Sequence, residues 1–254
     1  MVIPAAIPGR NIWLRVGTLL DGSSTVPLRD VHVVYNANKI LFVGADNHTP
    51  PANLLQPGQI ELDVHEPAAT LLPGLIEAHA HLFLEGGELD AGKRAAYLQQ
   101  TPAQLLAAAR ERLPKLARYG IAGVRDAGDK DGVGLALSKL SSGGASSEVA
   151  AVSDRTIGQS QTGPTANAST RALMPYVESP GAAIHHQGRY GSFMADAIEK
   201  HASLRAVVEA RVAAGADRIK LIPTGIINFK KGAVTSEPQM TTAEVTELVA
   251  AAKS

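Results

Sequence analysis

The chain has 254 residues, enough for one or two domains with a substantial core. Hydrophobic residues make up 45% and charged residues 19%, with 24 Lys and Arg against 24 Asp and Glu, a balance that excludes a disordered tail and a basic nucleic-acid binder. There is no cysteine, which excludes disulfide frameworks, thiolate zinc sites, iron–sulfur clusters and cysteine nucleophiles, so any metal must be held by nitrogen and oxygen.

The opening residues, Met1 to Arg10, lack a basic start followed by a long apolar run, and no apolar run elsewhere reaches the roughly 18 residues of a membrane span. A cytoplasmic protein with no membrane or nucleic-acid partner is expected. Short strands punctuated by turns follow: Ile12 to Leu20, Val31 to Tyr35 and Lys39 to Val43, with Asp21-Gly22-Ser23-Ser24 and Asn36-Ala37-Asn38 as turns. The Pro-bearing segment Asn47 to Gly58 reads as a connector to a further strand, Gln59 to Val64. This β module is assigned to residues 1–68, where His32, His48 and His65 have structural or exposed roles.

Beyond it, over residues 69–254, the rhythm becomes strand then helix. Thr70 to Leu82 is strand-like. Thr101-Pro102 opens a helix running to Tyr119-Gly120, with Thr101 as N-cap. Ile121 to Arg125 is a strand, Val133 to Leu140 a helix, Glu148 to Ser153 a strand, and Gly158 to Gly191 a Gly/Ser/Thr-rich insertion. A helix from Ala202 to Ala214 closes at Gly215, Arg218 to Ile222 is a strand, and Thr241 to Ala252 is a helix. Strands alternating with helices predict an α/β fold with a parallel sheet, open or closed into a (β/α) barrel. A complete barrel takes about 250 residues for itself, and only four units are visible here.

Two segments carry chemistry. In Pro73-Gly74-Leu75-Ile76-Glu77-Ala78-His79-Ala80-His81, residues two apart share a strand face, so His79 and His81 stand side by side at the strand's C-terminal end, where parallel α/β folds place their sites. Two neutral imidazoles so placed can chelate zinc or a similar divalent ion; the bland alternative is a pair of surface or core histidines. In Arg218-Ile219-Lys220-Leu221-Ile222, alternation sends Ile219 and Leu221 to the helices and Lys220 to the inside of the sheet. A neutral amine there could take up carbon dioxide as a carbamate able to bridge metals, whereas the plain alternative is an ion pair with a nearby carboxylate. The partial dinucleotide fingerprint beginning at Gly132 fails at Leu137, and no G-x-S-x-G elbow occurs.

The run Pro73 to His81 resembles the first-strand metal motif of the amidohydrolase superfamily, and Gly120 to Gly128 resembles its second strand. Gly215 to Gly225 is similar to the fourth-strand segment of the Xaa-Pro dipeptidase and imidazolonepropionase-like branch, where the lysine is carboxylated. Leu19-Leu20-Asp21-Gly22 and Lys39 to Gly44 resemble the flanking β-sandwich module of these enzymes. The resemblance implies a TIM-like barrel, partial in this chain, and a metal-dependent hydrolase of amide-type C–N bonds that uses an activated water. His79, His81 and a carboxylated Lys220 would be ligands of one or two divalent ions, zinc first. Glu77 stands where the family more often has aspartate.

The family takes two further histidines and a proton-shuttling aspartate from later strands, and this sequence stops after the fourth-strand unit. The expected catalytic acid lies beyond Ser254, so the chain is expected to represent the N-terminal part, partnered by the remaining half or by itself as a homo-oligomer. His185 and Arg189 of the insertion are candidates to meet a small-molecule substrate, Arg189 through a carboxylate, the plain alternative being a solvated polar loop. The alternative is a non-catalytic half-barrel acting as a partner or assembly fragment.

Overall fold

In the computed structural model, which describes residues 9–88, 90–142, 174–228, 232–234 and 236–254, strand β1 (Ile12–Leu19) alternates as its sequence predicts. Ile12, Leu14 and Val16 are buried while the residues between them are half-exposed. It pairs antiparallel with β2 (Leu28–Tyr35), which pairs with β3 (Ile40–Gly44), and parallel with β4 (Val64–Leu71), giving a four-stranded sheet ordered β3-β2-β1-β4. The register of β1 with β4 shifts between Val16 and Thr18. A Cβ at Gly17 would run into the backbone of Pro67, so the close approach needs glycine, and Pro67 costs no ladder bond on this edge strand. Asp21 accepts from the amides of Ser23 and Ser24 and so fixes the predicted turn.

The strand expected at Gln59 to Val64 lies later, at β4. Asp63 spends its carboxylate and amide on the Trp13 backbone, at 2.8 and 2.9 Å, and the pairing with β1 runs onward from Val64. The single strand expected over Thr70 to Leu82 is two strands, because Pro73 has no N–H to donate and the chain leaves the first sheet after Leu71. The chain divides into compact units at Met1–Gly74 and Leu75–Ser254.

The second unit is mixed α/β. Strands β5 (Leu75–Ala80), β6 (Ile121–Asp126) and β7 (Tyr176–Glu178) form an open parallel sheet in that order. Between β5 and β6 come α1 (Ala91–Leu98), which the sequence reading missed, and α2 (Pro102–Arg118); α3 (Val133–Ser141) follows β6. At the start of α2, Thr101 and Gln104 exchange side-chain and backbone bonds in a full capping box, with Pro102 in the first turn. Its stripe Leu105, Ala109, Leu113 packs with Val124 of β6, Val177 of β7 and Leu137 of α3, all buried.

Residues 174–191, expected as insertion, contain β7, and the predicted strand Glu148 to Ser153 lies outside the described residues. The strand expected at Arg218 to Ile222 is a single parallel bridge between Ile184 and Leu221. Ile219 and Leu221 face a second core formed by Val207 and Val208 of α4 (Leu204–Ala213) and Leu248 of α5 (Thr242–Lys253), so Lys220 between them turns away from it. Thr241 caps α5 in a second capping box with Glu244. Ile76 of β5 is 72% exposed and Leu75 51%, whereas Leu82, just past the strand, is buried; among the described residues the strand partner of β5 is β6 alone.

Candidate metal centre

His79 and His81 stand together where β5 ends, their rings edge to face with centroids 5.6 Å apart. His79 is exposed, His81 half-buried and in edge contact with Phe83. The Nδ1 of His81 lies 2.7 Å from the carbonyl oxygen of Gly128. A carbonyl only accepts, so Nδ1 carries the proton, and in the neutral ring that leaves the lone pair on Nε2, the arrangement that orients metal-binding imidazoles. Gly128 follows β6 with φ +115°, a conformation L side chains rarely adopt, and that presents its carbonyl to the ring. Burial pushes the His79 imidazole below its ordinary pKa, aided by the nearby Lys220 ammonium and by His81 and opposed by Glu77. The ring therefore stays neutral, with its lone pair available, to lower pH than a free histidine.

Lys220 is half-buried, and its backbone carbonyl accepts from Ile184 at 2.8 Å. Among the described residues its ammonium makes no hydrogen bond or ion pair; the group it acts on is the His79 ring. His79 and His81 thus share the end of β5, and Lys220 acts on His79 from a second segment, the one bridged to Ile184 at Leu221. Among the described residues no three His, Cys, Asp or Glu side chains converge as a metal cluster.

The loop residues fall elsewhere. His185 is 1% exposed, with Nδ1 and Nε2 each 3.0 Å from a backbone carbonyl, those of His186 and Ala195. It presents no free nitrogen to a ligand. The guanidinium of Arg189 donates to the carbonyl of Glu237. His186 sits between two carboxylates, Glu199 at 2.7 Å and Glu244 at 3.2 Å.

Two features beside the histidines were missed in the sequence. A cavity of about 440 Å³ opens next to them, lined among others by Glu77, Tyr97 and Arg112. Tyr97 donates its hydroxyl to Glu85, and Arg112 donates to the Leu82 carbonyl at 2.6 Å; burial pushes the Arg112 pKa down. Arg112 was legible as a charge beside the apolar stripe of α2. Behind the site lies an acid pair, Asp126 and Asp129, at 1% and 0% exposure. Asp126 accepts from Ser179 at 2.9 Å and from the Leu82 amide at 3.3 Å; Asp129 accepts from the Gly134 amide at the start of α3, and its Oδ1 has no partner among the described residues. Burial raises the pKa of both carboxyls, that of Asp129 to about 7 with Asp126 adding to it.

No protein-family model and no curated protein matches the sequence. Solved structures do. They include a Xaa-Pro dipeptidase with methionine bound in its active site (19% identity, TM-score 0.64, 96% of this chain on 54% of that one). The A. niger ochratoxinase matches at 18% identity and TM-score 0.63, again with 96% of this chain, on 53% of that one. Phenylurea hydrolase B matches at 15% identity, with a TM-score of 0.64 and coverages of 96% and 53%. The chain shares the fold of these structures and spans about half their length; its β5 and β6, which lie within Pro73 to His81 and Gly120 to Gly128, pair in parallel.

Proposed function

We propose that this chain contributes the first metal ligands of a hydrolase that cleaves amide-type C–N bonds. The observation that carries the reading is the His79–His81 pair at the end of β5, with the Nδ1 of His81 committed to the Gly128 carbonyl and the lone pair of its neutral ring on Nε2. The donor set suits a divalent ion: two imidazoles side by side, that of His79 favouring neutrality, and a lysine amine without a carboxylate partner among the described residues. A divalent ion there, zinc by preference, would polarise a substrate carbonyl and make bound water acidic. His79 and His81 would supply neutral nitrogen lone pairs. Lys220, as its carbamate, would supply oxygen donors, and Gly128 would hold the ring of His81 in place.

The similar solved structures act, by their names, on a dipeptide, ochratoxin or a phenylurea. For this chain the substrate class reads as an N-acyl amino acid, Xaa-Pro dipeptide or cyclic amide. The test is a titration with Zn²⁺ or Co²⁺ followed by calorimetry and by cobalt absorption. The expected outcome is saturable binding that His79→Ala and His81→Ala each weaken by about a hundredfold; binding indifferent to both substitutions overturns the reading. The absence of a three-residue metal cluster among the described residues favours one alternative, a non-catalytic scaffold fragment. Failure to bind any divalent ion would select it.

A further inference from the structure

A second cavity, of about 540 Å³, adjoins His81 on the side of Phe83. Its walls include Phe83, Leu98, Tyr190, Phe193 and Met194, which places two of the chain's four phenylalanines and one of its five tyrosines in one hollow. Tyr190 and Phe193 meet edge to face at 5.9 Å. The one cationic side chain on this lining is Arg94 of α1, which also lines the cavity on the other side of His81. Neighbouring acids are engaged elsewhere: Glu85 accepts from Tyr97, and Glu88 pairs with Lys93 at 3.2 Å. Among the described residues, the exposed guanidinium of Arg94 makes no hydrogen bond or ion pair.

An open apolar hollow with one unspent cation at its mouth has the composition of a small-molecule subsite, where apolar walls supply burial and a single polar group fixes orientation. A guanidinium presents two parallel donors that match a carboxylate. We infer that Arg94 is a specificity-determining residue that selects ligands bearing a carboxylate next to an apolar or aromatic group, the latter seated between Phe83 and Phe193. The inference deepens the hydrolase reading: a bound acid of this kind has its acyl nitrogen side toward His81, and a neutral amide of the same shape binds without the ionic anchor.

The experiment uses the whole chain without added metal, at pH 7 and low salt. N-acetyl-L-phenylalanine, N-acetyl-L-phenylalaninamide and N-acetylglycine are titrated and followed by NMR shifts of the methyl groups of Leu98 and Met194. The acid is expected to bind about tenfold or more tightly than its amide, and more tightly than N-acetylglycine. Arg94→Gln, on an exposed helix surface, should erase the acid-over-amide preference with the amide's affinity unchanged, and Phe193→Ala should weaken both phenylalanine ligands. Equal affinity of acid and amide, a preference that survives Arg94→Gln, or no saturable shift overturns the inference. Metal binding that depends on His79 and His81, found with no acid preference, removes the subsite and leaves the hydrolase reading standing. Acid preference without metal binding does the reverse.

Discussion

Asp129 concentrates the physics of this site. A carboxyl with no solvent exposure, an Oδ1 without a partner among the described residues and a second carboxyl close by is stabilised in its protonated form. Its folded-state pKa, raised to about 7, stands above the roughly 3.9 of an unfolded chain, so the native state binds the extra proton. The stability this contributes is complete below the unfolded value and is lost as pH rises through about 7, and Asp126 acts in the same direction. Urea unfolding at pH 5, 6, 7 and 8 should therefore show stability falling with pH, by about 1 kcal/mol or more per unit at the steepest. Asp129→Asn should flatten the profile, and a slope unchanged by the substitution would place its origin in other groups. The pair was not legible in the sequence because its burial depends on Ser179, 53 residues from Asp126. His79 and His81 were legible because spacing by two is a property of any strand.

At the scale of elements, local chemistry predicted the helices better than the strands. Thr101-Pro102-Ala103-Gln104 is a short-range signal that folds as a capping box, and the helix expected from Thr241 starts with a second one, between Thr241 and Glu244. Thr101→Ala is expected to cost about 1 kcal/mol, read as a lower urea midpoint at unchanged slope; a loss below a few tenths would mean that packing of Leu105, Ala109 and Leu113 alone holds α2. Strand limits, in contrast, depend on partners. Residues 70–82 read as one run because each side of Pro73 is apolar, yet Leu71 belongs to a ladder with β1 and Leu75 to one with β6. The short strand β7 sits in a stretch whose Gly and Ser content reads as loop, and its pairing to β6 is what makes it a strand.

For the molecule as a whole, the edge of the parallel sheet stands out. Ile76 and Leu75 are exposed on β5, and the sheet β5-β6-β7 is open. An exposed apolar edge strand promotes association with other chains, and charge on such an edge opposes it. Sedimentation of the chain at tens of micromolar is expected to show concentration-dependent association that Ile76→Lys shifts toward monomer; an unchanged distribution would place the contact elsewhere. No helix among the described residues is long and apolar enough to cross a membrane.

Taken alone, the sequence determined the features that act over a few residues: the absence of sulfur ligands, the alternation that puts two imidazoles on one strand face and Lys220 opposite Ile219 and Leu221, and the cap of α2. Tertiary structure decided the features that need distant partners. It alone sealed His185 against two carbonyls, set the lone pair of the neutral His81 ring on Nε2 by giving its Nδ1 the Gly128 carbonyl 47 residues away, and buried two carboxyls together behind the site. The physical reason is that periodicity and capping are properties of neighbouring residues. Solvent exclusion and tautomer choice depend on what the folded chain brings from elsewhere.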